Sequence, residues 1–457
     1  MKGIEVNKIY NLDCLEGMKL LDDNSIDSIV TDPPYGIEFM GKEWDSFSNN
    51  TNSALGKQSP ANLKENTPFK KKGKPIDGWC EKDRLFAREN YYNFIYQWSK
   101  ECLRVLKPGG YLLVFGSTRM YHRMACAIED SGFEIRDCIT YLFGTGFPKN
   151  LDISKAIDKQ AGAKRKIVGN TGRDPNRLIK FKEQDGCKRN PTNEDITIPT
   201  TLEAQQWNGW GTALKPAAEF ITLARKPLSE KTVASNVLKW GTGGININDC
   251  RIKVDPQVDD MLRETKRQKR ETNTWEDGSG FKNEKNNLTG VRPEGRFPAN
   301  IILDKEAGKL IDKQSGNRPS GKGNGNAKVG ETSNGSVPPL RRGNLTSRND
   351  SGGASRFFYT AKASGNERYF YCHECKEPFS KKELKNHKEH NTEFHPTVKP
   401  LKLLEYLVRL VTPPNGICLD LFLGTGTTAI ACKNQGFNFI GFDNNEIYYQ
   451  IAKKRIG

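Results

Sequence analysis

The sequence predicts an α/β fold built on a doubly wound, mostly parallel sheet that the chain enters at a permuted point. Three observations predict it. An apolar strand, Ile26 to Val30, ends early in the chain at Asp32-Pro33-Pro34-Tyr35. A second strand, from Ile417, runs into the turn Asp420-Leu421-Phe422-Leu423-Gly424-Thr425-Gly426-Thr427-Thr428 and then a helix start at Ala429. A third, Phe437 to Phe442, ends in Asp443, roughly twenty residues after the glycines. Strands alternating with helices are the pattern of parallel sheets covered on both faces.

In chain order, residues 1–150 read as the first part of that domain. After the strand and its tetrapeptide, Ser46 to Lys74 is polar and ends in Phe69-Lys70-Lys71-Lys72-Gly73-Lys74. It reads as a mobile basic loop, either a solvated surface run or a contact to a nucleic-acid backbone. A helix is expected at about Tyr91 to Leu106, because Tyr91, Ile95, Trp98, Cys102 and Val105 fall on one apolar face. Pro108-Gly109-Gly110 stops it and feeds the strand through Leu112-Leu113-Val114-Phe115.

From 151 to 360 periodicity weakens. Trp207, Trp210, Trp240 and Trp275 stand among Lys, Arg, Asn and Gly. Aromatics among bases and amides suit groove readout and contacts to an unstacked base, and equally an ordinary small β-rich core. By elimination this block is the expected target-recognition region, with Gly316 to Arg356 read as flexible from its Gly, Ser, Asn and Arg content. Residues 396–457 return to the α/β pattern.

Residues 368–395 carry a different signal. Cys372-His373-Glu374-Cys375 and His387-Lys388-Glu389-His390 form a C-x2-C…H-x2-H set, and four of the five histidines lie between His373 and His395. Two thiolates and two imidazoles suit tetrahedral Zn²⁺, so Cys372, Cys375, His387 and His390 are the expected ligands of a closed structural site. The alternative is a cluster of unligated surface residues. A helix begun at Lys381 would carry both histidines, although their spacing is tighter than the usual three to five intervening residues. His395 is a substitute ligand.

Composition bounds the class. At 457 residues a catalytic domain and a second module both fit. Hydrophobic residues make up 35% of the chain and mean hydropathy is −0.71, so long polar loops are expected. A net charge of +16 favours a polyanionic partner. No apolar run of about eighteen residues and no signal-peptide core is present, so a membrane partner is not expected. Eleven cysteines scattered from Cys14 to Cys432 point to reduced thiols and a cytoplasmic, nucleoid-associated setting.

The tetrapeptide carries the chemistry. The Asp32 carboxylate can accept one hydrogen of an exocyclic base amine and the Pro33 carbonyl the other, which would localise the nitrogen lone pair. The prolines fix φ and restrict their predecessors, so the two acceptors converge, and Tyr35 offers a face for an extruded base. An isolated Pro-Pro is also an ordinary polar turn. The glycine turn makes a nucleotide-type cradle, and Asp443 stands where an acidic side chain can bind ribose hydroxyls. A dinucleotide oxidoreductase uses similar parts, but with a full three-glycine fingerprint.

Together the two motifs resemble the amino-methylating DNA methyltransferases, and among them the permuted beta-class group in which the catalytic tetrapeptide precedes the Phe-x-Gly-x-Gly cofactor motif. The resemblance covers residues 1–150 and 390–457. Gly144 to Lys149 and Gly211 to Pro216 are similar to segments of phage-type members. It implies a Rossmann-like, S-adenosylmethionine-dependent methyltransferase fold with an inserted recognition region. It assigns catalysis to Asp32, Pro33, Pro34 and Tyr35. Cofactor binding falls to Asp420, Phe422, Gly424, Gly426, Thr427 and Asp443, to Thr397 and Lys399 of His395-Pro396-Thr397-Val398-Lys399-Pro400, and to Asp13 of Asn11-Leu12-Asp13-Cys14-Leu15.

The expected activity is methyl transfer to N6 of adenine in double-stranded DNA with base flipping. Family members that act on cytosine N4 more often carry Ser in place of the Asp. The competing readings are N4-cytosine methylation and a non-catalytic, zinc-containing DNA-binding protein with a vestigial fold. A cytosine C5 enzyme needs a Pro-Cys pair, which this chain lacks. A homodimer and a cognate restriction endonuclease stay open.

Overall fold

The computed structural model describes residues 3–36, 81–146, 150–170, 195–253, 295–319, 351–361, 367–387 and 390–457. The basic loop expected at 46–74, Trp275, residues 147–149 and most of 316–356 lie outside these.

Sixteen strands are labelled here in chain order. They are β1 (Lys8–Tyr10), β2 (Ile26–Thr31), β3 (Leu106–Gly116), β4 (Glu134–Leu142), β5 (Lys166–Asn170), β6 (Asp195–Ile198), β7 (Ala218–Arg225) and β8 (Ile301–Asp304). They continue as β9 (Arg318–Pro319), β10 (Ser351–Gly352), β11 (Tyr359–Ala361), β12 (Tyr369–Cys372), β13 (Glu377–Ser380), β14 (Thr392–Phe394), β15 (Ile417–Asp420) and β16 (Asn438–Phe442).

Nine strands form the main sheet, in the order β1-β16-β15-β2-β3-β7-β4-β8-β11. Only β7 runs against its neighbours, antiparallel to both β3 and β4. The expected doubly wound, mostly parallel sheet is present among the described residues. β2 is buried along its whole length, as a central parallel strand must be. Its polar residues are paired: Asp27 with the Lys107 ammonium and the Ile417 N–H, Ser28 with Thr412, and Thr31 with Asp420. The two faces are covered by different helices. Leu401–Val411 and Thr427–Gln435 pack on one side, and Cys14–Lys19, Glu81–Val105 and Tyr121–Asp130 on the other.

The helix expected at Tyr91 to Leu106 is the second half of Glu81–Val105, and all five residues of its proposed apolar face are fully buried. The strand after Pro108-Gly109-Gly110 is β3, which begins two residues before the proline.

One boundary falls differently. Residues 151–360, expected as a separate recognition block, contribute β7, β8 and β11 to the main sheet. Long polar stretches separate these short strands, so no periodic signal spans the region. A smaller unit also lies in this block, where hairpin β5–β6 accompanies helices Ile153–Gln160 and Leu202–Gln206. It is tied together by buried Asp158, which accepts hydrogen bonds from Thr200 and Thr201 and pairs with Arg165.

β12, β13 and β14 form a separate antiparallel sheet of order β13-β12-β14. It packs on the helix Glu446–Ile456.

Candidate active site

The sheet topology places the cleft. From β15 the chain moves outward to β16, and from β2 it moves the other way to β3, so the winding reverses between two hydrogen-bonded neighbours. Ligands of open α/β sheets bind beyond the carboxyl ends of strands at such a reversal. The Thr31 hydroxyl donates to Asp420 across this point at 2.7 Å, joining residues 389 positions apart. The cleft here has a volume of about 1250 Å³ and is lined by Asp32 to Tyr35, Thr397, Lys399, Asp420, Phe422, Gly424, Thr427 and Asp443. That volume is at or above the upper end of the roughly 300–1000 Å³ usual for a pocket holding one drug-sized molecule.

Four polar side chains meet at the β2 end. Tyr35 donates its hydroxyl hydrogen to Asp32 Oδ1 at 2.8 Å. Lys399 Nζ lies 3.0 Å from Asp32 Oδ2, 3.4 Å from Glu219 Oε2 and 2.7 Å from the Tyr35 hydroxyl. The Phe115 ring centroid is 5.0 Å from the same ammonium, within cation–π range. Burial pushes the Lys399 pKa down, but the two adjacent carboxylates outweigh it and hold the group above the ordinary lysine value. Burial, with Asp32 and Glu219 adding to it, pushes the Tyr35 hydroxyl well up, so it stays protonated as a donor.

At the β15 end the glycine turn adopts the geometry its sequence requires. Gly424 and Gly426 have φ of +55° and +82°, a region that costs other residues about 1–2 kcal/mol. A Cβ on Gly426 would stand 3.1 Å from Ala452 Cβ. Helix Thr427–Gln435 starts at Gly426 with no side-chain cap, so its first N–H groups are left for a ligand. Burial raises the carboxyls of Asp420 and Asp443 to about 6. Asp443 accepts from the N–H groups of Gly424 and Asn445, one on each oxygen, and each oxygen keeps a lone pair. Phe422 is fixed edge-on against Trp98, with its ring centroid 5.9 Å away.

Most of the residues expected at the site meet in this one cleft. Gly426 shapes the turn from behind. Lys399, grouped by resemblance with the cofactor contacts, lies against Asp32 and Tyr35 instead. Asp13 is not brought in: it is exposed and caps helix Cys14–Lys19 by accepting from the Leu15 N–H. Its neighbour Asn11 donates to the Asp443 carbonyl and steadies that loop. Sequence reasoning missed Glu219 and Phe115. Glu219 opens an antiparallel strand, which alone brings the start of β7 to the edge where the parallel strands end. One carboxylate directly before Phe220 and Ile221 was the available signal.

The Cys/His set also assembles. The candidate ligand atoms of Cys372, Cys375, His387 and His390 lie within 4.8 Å of one another. The helix from Lys381 is 3₁₀ rather than α and ends at His387, whose carbonyl accepts from the His390 N–H. The helix expected to carry both histidines therefore carries only His387. His395 sits elsewhere, edge-on to Tyr448 at 4.6 Å in the cleft. All nine cysteines among the described residues are free thiols. No described helix is long and apolar enough to cross a membrane.

A doubly wound sheet with an Asp-Pro-Pro-Tyr corner beside a glycine turn is the arrangement that the resemblance to amino-methylating DNA methyltransferases implies. The sequence matches the N6/N4 DNA methylase family over residues 26–454, and the chain belongs to that family. It is similar to the type II methyltransferase M.HindIII of Haemophilus influenzae, with 26% identity over 99% of this chain and 96% of that protein. A local match of 58 residues to the type II methyltransferase M1.MboII of Moraxella bovis reaches 50% identity, covering 13% of this chain and 22% of that one. Among solved structures, the cytosine-N4-specific PvuII DNA methyltransferase aligns at 11% identity over 100% of this chain and 90% of that one, with a TM-score of 0.41.

Proposed function

We propose that this DNA methyltransferase acts at a specific site in double-stranded DNA and transfers a methyl group from S-adenosylmethionine to the exocyclic N6 of an adenine flipped out of the duplex. The observation that carries this reading is the Asp32 carboxylate, in an intact Asp-Pro-Pro-Tyr corner, one hydrogen-bonded strand away from the glycine turn.

The cleft fits the donor. The uncapped helix start, the left-handed glycines and the free lone pairs of Asp443 would hold its nucleoside part, with Phe422 as an apolar wall. Bound S-adenosylmethionine supplies an electrophilic methyl on a sulfonium. Everything else falls to the chain. Asp32 and the Pro33 carbonyl each accept one amine hydrogen, which turns the nitrogen lone pair towards the methyl. Tyr35, pinned through its hydroxyl, gives the base a fixed face, and alignment supplies much of the rate. The Lys399 ammonium balances Asp32 and Glu219 and keeps the carboxylate aimed. The amine proton becomes acidic only after methylation, so Asp32 serves first as a hydrogen-bond acceptor. We also read the Cys/His cluster as a structural Zn²⁺ site, outside the chemistry.

The reading is tested by incubating mixed-sequence DNA with protein and isotopically labelled S-adenosylmethionine, then analysing nucleosides by mass spectrometry. Label is expected in N6-methyladenine. Label in N4-methylcytosine would move the target base, and none in DNA would overturn the reading. Asp32→Ala should abolish labelling with cofactor binding largely intact, and labelling at the wild-type rate would remove Asp32 from its role. The non-catalytic alternative predicts no cofactor binding at all.

A further inference from the structure

The Cys/His element is joined to the cofactor turn by two independent sets of contacts. We propose that Cys372, Cys375, His387 and His390 bind one Zn²⁺, and that metal loading sets the glycine turn in its cofactor-binding shape. The coupling rests on the cofactor reading above; the metal site does not.

All four donor atoms lie within 4.8 Å of one another, and four of their separations approach the edges of a coordination shell. Cys372 Sγ is 3.2 Å from His390 Nδ1, Cys375 Sγ is 3.4 Å from the same nitrogen and 3.6 Å from His387 Nδ1, and the two imidazole nitrogens are 3.3 Å apart. Tetrahedral zinc with bonds of about 2.3 Å to sulfur and 2.0–2.1 Å to nitrogen requires edges of roughly 3.3–3.8 Å. The Cys375 N–H points at Cys372 Sγ at 3.3 Å, and Lys376 completes the knuckle with φ of +56°. His387 is stacked on Phe379 at 4.0 Å, which fixes its ring. The apolar support is slight: Phe370, Cys372 and Phe379 are the buried core of three short strands. Elements below about 40 residues usually need a metal or disulfide to hold such a core.

The first link to the turn runs through Arg455, whose guanidinium lies over the Tyr369 ring at the start of β12, 5.6 Å from its centroid. Its Nη1 donates to the Thr425 carbonyl at 2.5 Å, and to the hydroxyls of Thr425 at 2.6 Å and Thr427 at 3.1 Å. The second runs through β14 into His395, whose Nε2 would be 3.3 Å from a Cβ on Gly424. Losing the metal would loosen Tyr369 beneath Arg455 and β14 ahead of His395, and with them the packing around the turn.

Full-length protein purified without chelator should carry one zinc per chain by inductively coupled plasma mass spectrometry, and Cys375→Ser should lose it. Calorimetric titration with S-adenosylmethionine should show Kd rising about tenfold after chelation and returning on addition of Zn²⁺ but not Mg²⁺. Tyr369→Leu should keep its zinc and bind S-adenosylmethionine about threefold more weakly, which separates the link from the folding of the element. Substoichiometric metal with full cofactor affinity would overturn the site. Full zinc with an affinity unmoved by chelation would overturn the coupling. Zinc-loaded protein that binds no S-adenosylmethionine would overturn the cofactor reading and the coupling together, while the metal analysis stands.

Discussion

At the scale of single residues, Lys399 decides how the cleft is read. A rigid His-Pro-Thr-Val-Lys-Pro turn does not reveal which ligand each side chain faces, so the sequence groups Lys399 with the cofactor contacts. Its ammonium instead bridges Asp32 and Glu219. Lys399→Met should therefore lower kcat by about 10²-fold, the scale of one lost preorganised charge, with S-adenosylmethionine Kd little changed. A rise in Kd with kcat intact would return Lys399 to the cofactor. Asp443 makes a separate prediction. Burial raises its carboxyl to about 6, above the ordinary carboxylate value. The folded, ligand-free chain thus holds a proton that the unfolded chain releases between about pH 4 and 6, and the stability from this group is present below that window and lost above it. Ribose hydroxyls donate best to the ionised form. Cofactor affinity should therefore rise with pH through about 6 and level off, and Asp443→Asn should flatten the profile in calorimetric titrations. The meeting of Asp32, Tyr35 and Asp443 in one cleft was legible because adjacent residues carry their signal. The placement of Glu219 was not, because it comes from a strand direction that no local pattern encodes.

Elements were legible where their apolar positions formed a long helical face or ran into a motif. The helix ending at Val105 shows the first, and strands β2, β15 and β16, each running into its motif, show the second, with β3 marked by its proline–glycine pair. β8 and β11 span four and three residues amid polar sequence, and neither runs into a motif. The 3₁₀ form of Lys381–His387 was also hidden, since nothing in its seven residues distinguishes it from a short α-helix. The turn at Gly424 to Gly426 shows how one element holds another. Gly426→Ala should cost roughly 1–3 kcal/mol, combining left-handed backbone strain with crowding of Ala452 on the packed helix Glu446–Ile456. The check is thermal unfolding, where a melting temperature within 1 °C of wild type would show the turn to be slack.

For the whole molecule, charge sets the behaviour towards DNA. A chain of net charge +16 that displaces counterions from phosphates should lose DNA affinity steeply with salt, by about 10³-fold or more between 50 and 200 mM, while cofactor affinity stays nearly constant. Fluorescence anisotropy with a labelled duplex measures the slope, and a shallow one would argue against backbone-dominated binding. Exposed Trp210 and Leu214 stand beside and on the segment 212–216 that lines the cleft, leaving apolar groups at its mouth open to solvent. The hydrogen bond between Thr31 and Asp420 has a consequence in the order of synthesis. The Asp-Pro-Pro-Tyr corner leaves the ribosome early, but the strand that completes its sheet and carries the glycine turn follows almost 400 residues later. Loop closure over that distance is slow, and it must wait for translation to deliver the partner strand. The two halves of the cleft therefore meet only once both segments have been synthesised.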